Sequence, residues 1–162
     1  MRLSILFAGV LFCSAFIPMK DKHREQFVYD HENTFDPDEQ HRLDTLFRGH
    51  EMRTTNEIVL VTTDSYHGWE DMSMFAASCG DSLKVGKKHK DNGVVIVFSK
   101  RLREVYIAGG LGTERVMAPA RSQKYIDSLM IPLFKEEMFF DGVWAGCTTV
   151  VHHLELPENR IE

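Results

Sequence analysis

Glu57-Ile58-Val59-Leu60-Val61-Thr62-Thr63 is the stretch on which the fold turns. Its apolar, β-branched residues are consecutive and do not alternate with polar ones. A strand that is apolar on both faces belongs in the middle of a parallel sheet, where helices cover it above and below. Val94 to Phe98 is a second run of the same kind. Between the two, Trp69, Met72, Phe75, Ala76, Cys79 and Leu83 fall on one helical stripe, and Gly68 opens that helix. A strand, a crossover helix and a second buried strand predict a parallel pair with a right-handed connection.

Outward from this unit, Asp36-Pro37-Asp38-Glu39 marks a helix start. Asp36 is the N-cap, Pro37 the first helical residue, and Glu39 completes a capping box. Leu43, Leu46 and Phe47 carry the helix on to about Arg53. Phe27-Val28-Tyr29 reads as either a short strand or an extended arm. After Phe98, Ser99 to Arg103 is a tight turn and Glu104 to Ala108 the returning strand of a hairpin. Gly109 to Gly112 is a glycine-rich turn. Pro119 starts a third helix with Ile126, Leu129, Met130 and Leu133 facing in. Pro132 must kink or end it, because proline lacks the N–H and clashes with the preceding turn. A last helix runs from about Phe140 to Leu154, with Val143, Trp144, Cys147 and Val151 as its apolar stripe. The order predicts an α/β domain: a three-layer, Rossmann-like α-β-α sandwich around a small mixed sheet.

Composition bounds the rest. At 162 residues the chain makes one domain with one sizeable core. Apolar residues are 43% and charged residues 27%, the balance of a globular chain. The net charge of −5 argues against nucleic acid as a partner, since phosphate neutralisation needs a positive surface. Three cysteines, with no Cys-x-x-Cys pair, exclude a zinc ribbon and a disulfide scaffold.

Arg2, the apolar run Leu3 to Phe12 and the small residues at Cys13 and Ala15 match an export signal cleaved after Ala15. Leu3 to Pro18 falls short of the roughly 20 apolar residues that span a bilayer, which disfavours an uncleaved anchor. Phe12 before Cys13 argues against a lipid-modified cysteine. The expected organisation is a signal at 1–15, a flexible leader at 16–28, a domain at 29–154 and a tail at 155–162. The protein is then exported, to a periplasmic, lumenal or extracellular space, or membrane-anchored if the signal stays. In an oxidising space Cys79 and Cys147 could pair. Their apolar helical positions point instead to two buried thiols.

Several chemistries are excluded by spacing. Gly80 to Lys88 has one residue too many for a phosphate loop and Lys88 in place of its Ser or Thr. Gly110-Leu111-Gly112 lacks the third glycine of a dinucleotide fingerprint, since Arg115 stands there, so no dinucleotide is expected. No His-Glu-x-x-His, no Gly-x-Ser-x-Gly and no Cys-x5-Arg loop occurs. The eight histidines read as surface residues, with His152 and His153 on different faces of a helix. The run Lys84, Lys87, Lys88, His89, Lys90 reads as a solvated loop.

The ordered set of motifs resembles the TPM-domain family, which includes a thylakoid-lumen phosphatase-like protein of photosystem repair and many exported bacterial proteins. The resemblance spans Tyr29 to Leu154. It rests on Tyr29-Asp30, Thr55-Asn56-Glu57-Ile58-Val59-Leu60-Val61-Thr62, Asp91-Asn92-Gly93, Arg103, the turn Gly110-Leu111-Gly112-Thr113-Glu114, Ile131-Pro132-x-Phe134-Lys135 and Gly142. It implies an α-β-α sandwich, export or membrane tethering, and an association with acid phosphatase activity and calcium binding. One departure stands out: Arg115 to Ala120 carries no carboxylate where the family places an acid.

Asp91 precedes one strand and Glu114 follows its hairpin partner, so both are expected at one edge of the sheet. Two carboxylates with turn carbonyls are oxygen ligands of the kind Ca2+ takes, at weak affinity. Against this stands plain turn and cap chemistry for the same residues. Asp30 is a third metal candidate whose end of the sheet the topology does not fix. Two functional classes follow. One is a non-catalytic exported module binding a divalent ion or a protein partner of a membrane-associated assembly. The other is a metal-dependent acid phosphatase acting on phosphoesters. The second lacks an identifiable nucleophile or base, so the first is preferred.

Overall fold

The computed structural model describes residues 23–161, so the expected signal at 1–15 and most of the leader lie outside the described residues. The elements run β1 (Val28–Asp30), α1 (Pro37–Thr54), β2 (Glu57–Thr62), α2 (Met72–Leu83), β3 (Gly93–Ser99), β4 (Glu104–Gly109), α3 (Leu111–Glu114), α4 (Pro119–Tyr125), a π segment (Ile126–Met130), α5 (Ile131–Lys135) and α6 (Phe139–Glu155). A 3-10 turn, Pro157–Asn159, follows. The sheet order is β1-β2-β3-β4. β1, β2 and β3 are parallel, and β4 returns antiparallel to β3. The expected α/β sandwich around a small mixed sheet is the fold observed.

Every residue of β2 and β3 is buried, as their continuous apolar runs require. One face of the sheet presents Ile58, Leu60, Val94, Ile96 and Phe98 to the layer formed by α1, α4, the π segment and α6. The other presents Val59, Val61, Val95 and Val97 to α2 alone. The single helix on that side leaves grooves beside it, and the candidate acidic loops border two of them.

The capping box of α1 forms as predicted: the Asp36 carboxylate accepts from the Glu39 N–H, and Glu39 accepts from the Asp36 N–H. Phe27-Val28-Tyr29 resolves in favour of the strand: β1 pairs in parallel with β2, Val28 beside Leu60. Phe27 is fully buried, so the chain joins the core ahead of the expected start at Tyr29.

Four expectations need correction. α2 starts at Met72, not Gly68. Gly68 takes φ +91 in a turn, and Asp71 is the N-cap, accepting from the Met74 N–H and from the Ser73 hydroxyl. Those bonds hold the Asp71 carboxyl below its ordinary value. Trp69 therefore precedes the helix and is 45% exposed. The turn after Gly110 is the short helix α3. Pro132 neither ends nor breaks its helix. The π segment just before it makes a wider turn, with the Ile131 N–H donating to the Ile126 carbonyl, so the missing proline donor is absorbed. Finally, His50 and His153 are buried, not surface residues. His153 Nε2 meets the Val116 carbonyl at 2.9 Å, and His50 Nδ1 meets Glu155 at 2.9 Å. Burial pushes the His50 pKa down, opposed by the Glu155 contact.

Cys79 and Cys147 are both free thiols. Cys147 packs in the core on one face of the sheet and Cys79 against the cluster on the other, so the sheet stands between them. Burial raises the pKa of both.

Candidate functional site

Asp91 and Glu114 stand at the same end of the sheet. Asp91 lies two residues before β3 with φ 48, and its N–H donates to the Lys87 carbonyl. Its own carbonyl accepts from the N–H groups of Gly112 at 3.0 Å and Thr113 at 3.3 Å. The Gly93 carbonyl accepts from the Gly110 N–H at 2.9 Å and from the Thr113 hydroxyl at 3.1 Å. The α3 turn is thereby stitched onto the loop before β3. The glycines of Gly110-Leu111-Gly112 are what permit this approach. A Cβ at Gly110 would collide with the Asp91 carbonyl oxygen, and one at Gly112 with the Lys90 carbonyl oxygen.

Both carboxylates are exposed, and they face neighbouring grooves beside α2. Asp91 lines a groove of about 300 Å3 together with Gly110 and Asp81. Glu114 lines a groove of about 290 Å3 with Tyr106 and Pro119. Ala77, Ala108 and Gly109 border both. Asp81, on α2, is an additional acid that the sequence reading did not single out. It sits at helical spacing on the exposed side of a stripe whose register only the packing defines. Among the described residues, no three His, Cys, Asp or Glu side chains gather into a metal cage. The Asp91 carbonyl already serves two amides, so the acidic groups that this end of the sheet offers are the two carboxylates, each lining its own groove.

Asp30 lies at the opposite end of the sheet, beside Thr62, the last residue of β2. It cannot share an ion with Asp91 and Glu114. Its carboxylate is engaged throughout: Oδ1 accepts from the Thr62 hydroxyl at 2.6 Å and the Thr34 N–H at 3.0 Å, and Oδ2 from the Phe35 N–H at 2.9 Å. Asp30 thus organises the loop between β1 and α1.

Asn92 and Lys87 join the site to a buried charge network. The Asn92 amide donates to the Thr55 carbonyl and the Asn56 side chain, and its oxygen accepts from the Lys87 N–H at 2.7 Å. The Lys87 ammonium meets Glu57 at 2.9 Å and Glu51 at 3.4 Å. Arg24 donates to Glu57 through two nitrogens, at 3.0 and 2.8 Å, and also to the Leu83 and Lys84 carbonyls. Burial opposes the charge on Glu57, yet the bonds from Lys87, Arg24 and the Gly86 N–H win and hold its carboxyl below the ordinary value. Burial likewise opposes the charge on Lys87, and the two glutamates still raise its pKa. Lys87 therefore leaves the solvated loop that its neighbours suggested. The sequence carried no sign of this, because its partners are 30 and 36 residues away.

A family model described as the TPM domain matches residues 28–153. No curated protein matches the chain. Among solved structures, it is similar to the N-terminal domain of a protein from P. gingivalis, at 21% identity and TM-score 0.72, covering 83% of this chain and 85% of that one. It is also similar to the BA42 protein of the psychrophilic bacterium Bizionia argentinensis, at 21% identity and TM-score 0.62, over 82% of this chain and 97% of that one. A third likeness is the N-terminal domain of the cg2496 protein of Corynebacterium glutamicum, at 12% identity and TM-score 0.61, over 93% and 86%. At these identities the three neighbours establish the fold alone.

Proposed function

Because the chain belongs to the TPM domain family, we propose that it is an exported, non-catalytic binding module of a membrane-associated assembly, taking a divalent cation weakly at the Asp91–Glu114 loops. The observation that supports this reading is the double hydrogen bond onto the Asp91 carbonyl, which ties two acidic loops together at one sheet edge. The donor set is compatible with Ca2+, which accepts carboxylates in flexible loops and water in variable number. Arg115 to Ala120 adds no acid, so affinity is expected to be low, with occupancy in the millimolar range.

Binding to the folded state stabilises it by mass action, so the melting temperature should climb with added Ca2+. Asp91→Asn and Glu114→Gln should each abolish that rise while leaving the ion-free protein folded, because both replacements are nearly isosteric and both side chains are exposed. In a heteronuclear NMR titration the moving amides should be those of residues 90–93 and 110–114. Equal Ca2+ stabilisation of the wild type and both variants would remove the site. Metal-dependent turnover of a chromogenic phosphate ester, lost in Asp91→Ala, would replace the binding reading by a hydrolytic one.

Export has its own test. Protein recovered from its native host should have an intact mass that begins near Phe16. A mass including residues 1–15, in material extracted with the membrane, would show an anchor instead.

A further inference from the structure

Beyond the last residues of β3, at the far end of the sheet from the acidic loops, lies a cavity of about 410 Å3. The grooves at Asp91 and Glu114 are smaller, at about 300 and 290 Å3. Three rings make its floor. Phe98 is fully buried, with its ring centroid 4.8 Å from that of Phe134 and 5.8 Å from that of Phe139. Phe134 and Phe139 are half-buried, so their edges remain available.

The rim has the opposite character. Lys100 and Arg103 come from the β3–β4 turn and Lys135 from the end of α5, with Glu137 the one acid beside them. The lining residues carry three cations and one carboxylate, and a second carboxylate, Glu32, is engaged by the backbone of the turn that bears Lys100. Among the described residues none of the three cations forms an ion pair. The Lys100 ammonium lies 4.8 Å from the centre of the Phe139 ring, held over the apolar floor. The turn that carries Lys100 is itself braced: the Glu32 carboxylate accepts from the N–H groups of Lys100 at 2.8 Å and Arg101 at 3.1 Å. Arg103 and Glu137, on two separate turns, both sit in the left-handed region, at φ 59 and 60. Non-glycine residues persist there only when their surroundings hold them.

A solvated basic stretch is contiguous in sequence and lies on a convex surface. These cations converge from segments more than thirty residues apart onto one concavity. A concave apolar floor with a few convergent polar groups is the usual form of a small-molecule site. We propose that this cavity binds a small organic anion, with an apolar or aromatic body on Phe98, Phe134 and Phe139 and a carboxylate or phosphate group among Lys100, Arg103 and Lys135. The guanidinium of Arg103 supplies a fork matched to two oxygens of such a group, and the lysines add charge without fixed direction. The site is independent of the cation-binding reading, since it uses other residues at the other end of the sheet.

The test is a heteronuclear NMR titration of the protein with benzoate, phenyl phosphate, inorganic phosphate and benzyl alcohol. Benzoate and phenyl phosphate should saturably shift amides of residues 99–103 and 134–139. The tighter of the two identifies carboxylate or phosphate as the preferred head group. Inorganic phosphate and benzyl alcohol each satisfy only half the cavity and should bind at least about tenfold more weakly. Arg103→Gln and Lys135→Gln should each weaken the better organic anion by about fivefold, with an unchanged melting temperature because both side chains are exposed. The proposal fails if neither organic anion saturates in the tens of millimolar. It fails equally if Arg103→Gln and Lys135→Gln both bind as the wild type does, or if the shifts scatter over all basic residues.

Discussion

Ile96→Asp is expected to leave no folded protein. Ile96 is the middle residue of β3, fully buried, with Leu60 of β2 on one side and Ile107 of β4 on the other. It faces the thicker helical layer, where the nearest side chains are apolar. An aspartate there loses the packing of a large aliphatic group, about 2–5 kcal/mol, and must also enter the interior either charged and unpaired or protonated at a penalty. Together these reach the whole stability of an ordinary domain, about 5–15 kcal/mol. Val59→Asp makes the same test of the opposite face, against Met72, Phe75 and Ala76. Ile96→Val should fold and cost only about 0.5–1.5 kcal/mol, which separates charge from volume. Near-UV circular dichroism and urea unfolding read the outcome. A soluble Ile96→Asp protein with a cooperative transition would mean that β3 is not the centre of this sheet.

Lys87→Met is expected to destabilise the protein by about 3–5 kcal/mol, because removing one member of a buried charge network leaves the others uncompensated. At this chain length that is a fall in melting temperature of roughly 10 °C. Glu57 keeps the two hydrogen bonds from Arg24. Glu51 does not fare as well. It is 1% exposed, its Oε2 has no hydrogen-bond partner among the described residues, and its Oε1 also lies 3.4 Å from His23 Nδ1. A second substitution, Glu51→Gln, removes the stranded charge, so Lys87→Met/Glu51→Gln should recover most of the loss. A Lys87→Met protein that melts within about 2 °C of the wild type would show that the network contributes nothing net. The pH dependence follows from the two shifts. The Glu57 pKa is lowered in the fold, so its contribution is complete above its ordinary value of 4.5 and fades as pH falls through the lower folded value. The Lys87 pKa is raised, so its contribution is complete below 10.5 and fades as pH rises through the higher folded value. The network is therefore intact across the neutral range, and Lys87→Met should flatten the acid limb of the stability curve.

The central strands, the α1 start and the shared sheet edge of the two acidic loops are legible in the sequence, because each is written in neighbouring residues or in chain connectivity. Continuous apolar runs have one reading when helices flank them, and a capping box closes within four residues. Asp91 and Glu114 belong to the same class, since a hairpin of known strand lengths brings its two ends together whatever packs around it. Trp69 falls at helical spacing, yet α2 starts only at Met72. The Asp71 cap and the left-handed turn at Gly68 outweigh that periodicity. At Pro132 the local rule of a kink met a π turn, in a segment where Met130 packs closely on Gly146 of α6.

What the sequence determined by itself was thus the family, the α/β sandwich and the edge at which two acidic loops meet, all consequences of short-range pattern and chain connectivity. Tertiary structure alone decided the rest. It placed Asp30 at the far end of the sheet, where four hydrogen-bond donors occupy its carboxylate. It turned Lys87 from a loop cation into the centre of a buried network with Glu51 and Glu57. It brought Arg103 and Lys135 around the rings of Phe98, Phe134 and Phe139. The Lys87 network and the cation-rimmed cavity depend on side chains thirty or more residues apart meeting in space, and the Asp30 carboxylate adds to its local bonds from Thr34, Phe35 and Gln40 one from Thr62 on the neighbouring strand. Such meetings are set by which faces of the helices and strands are buried against one another, and no local spacing in the chain encodes them.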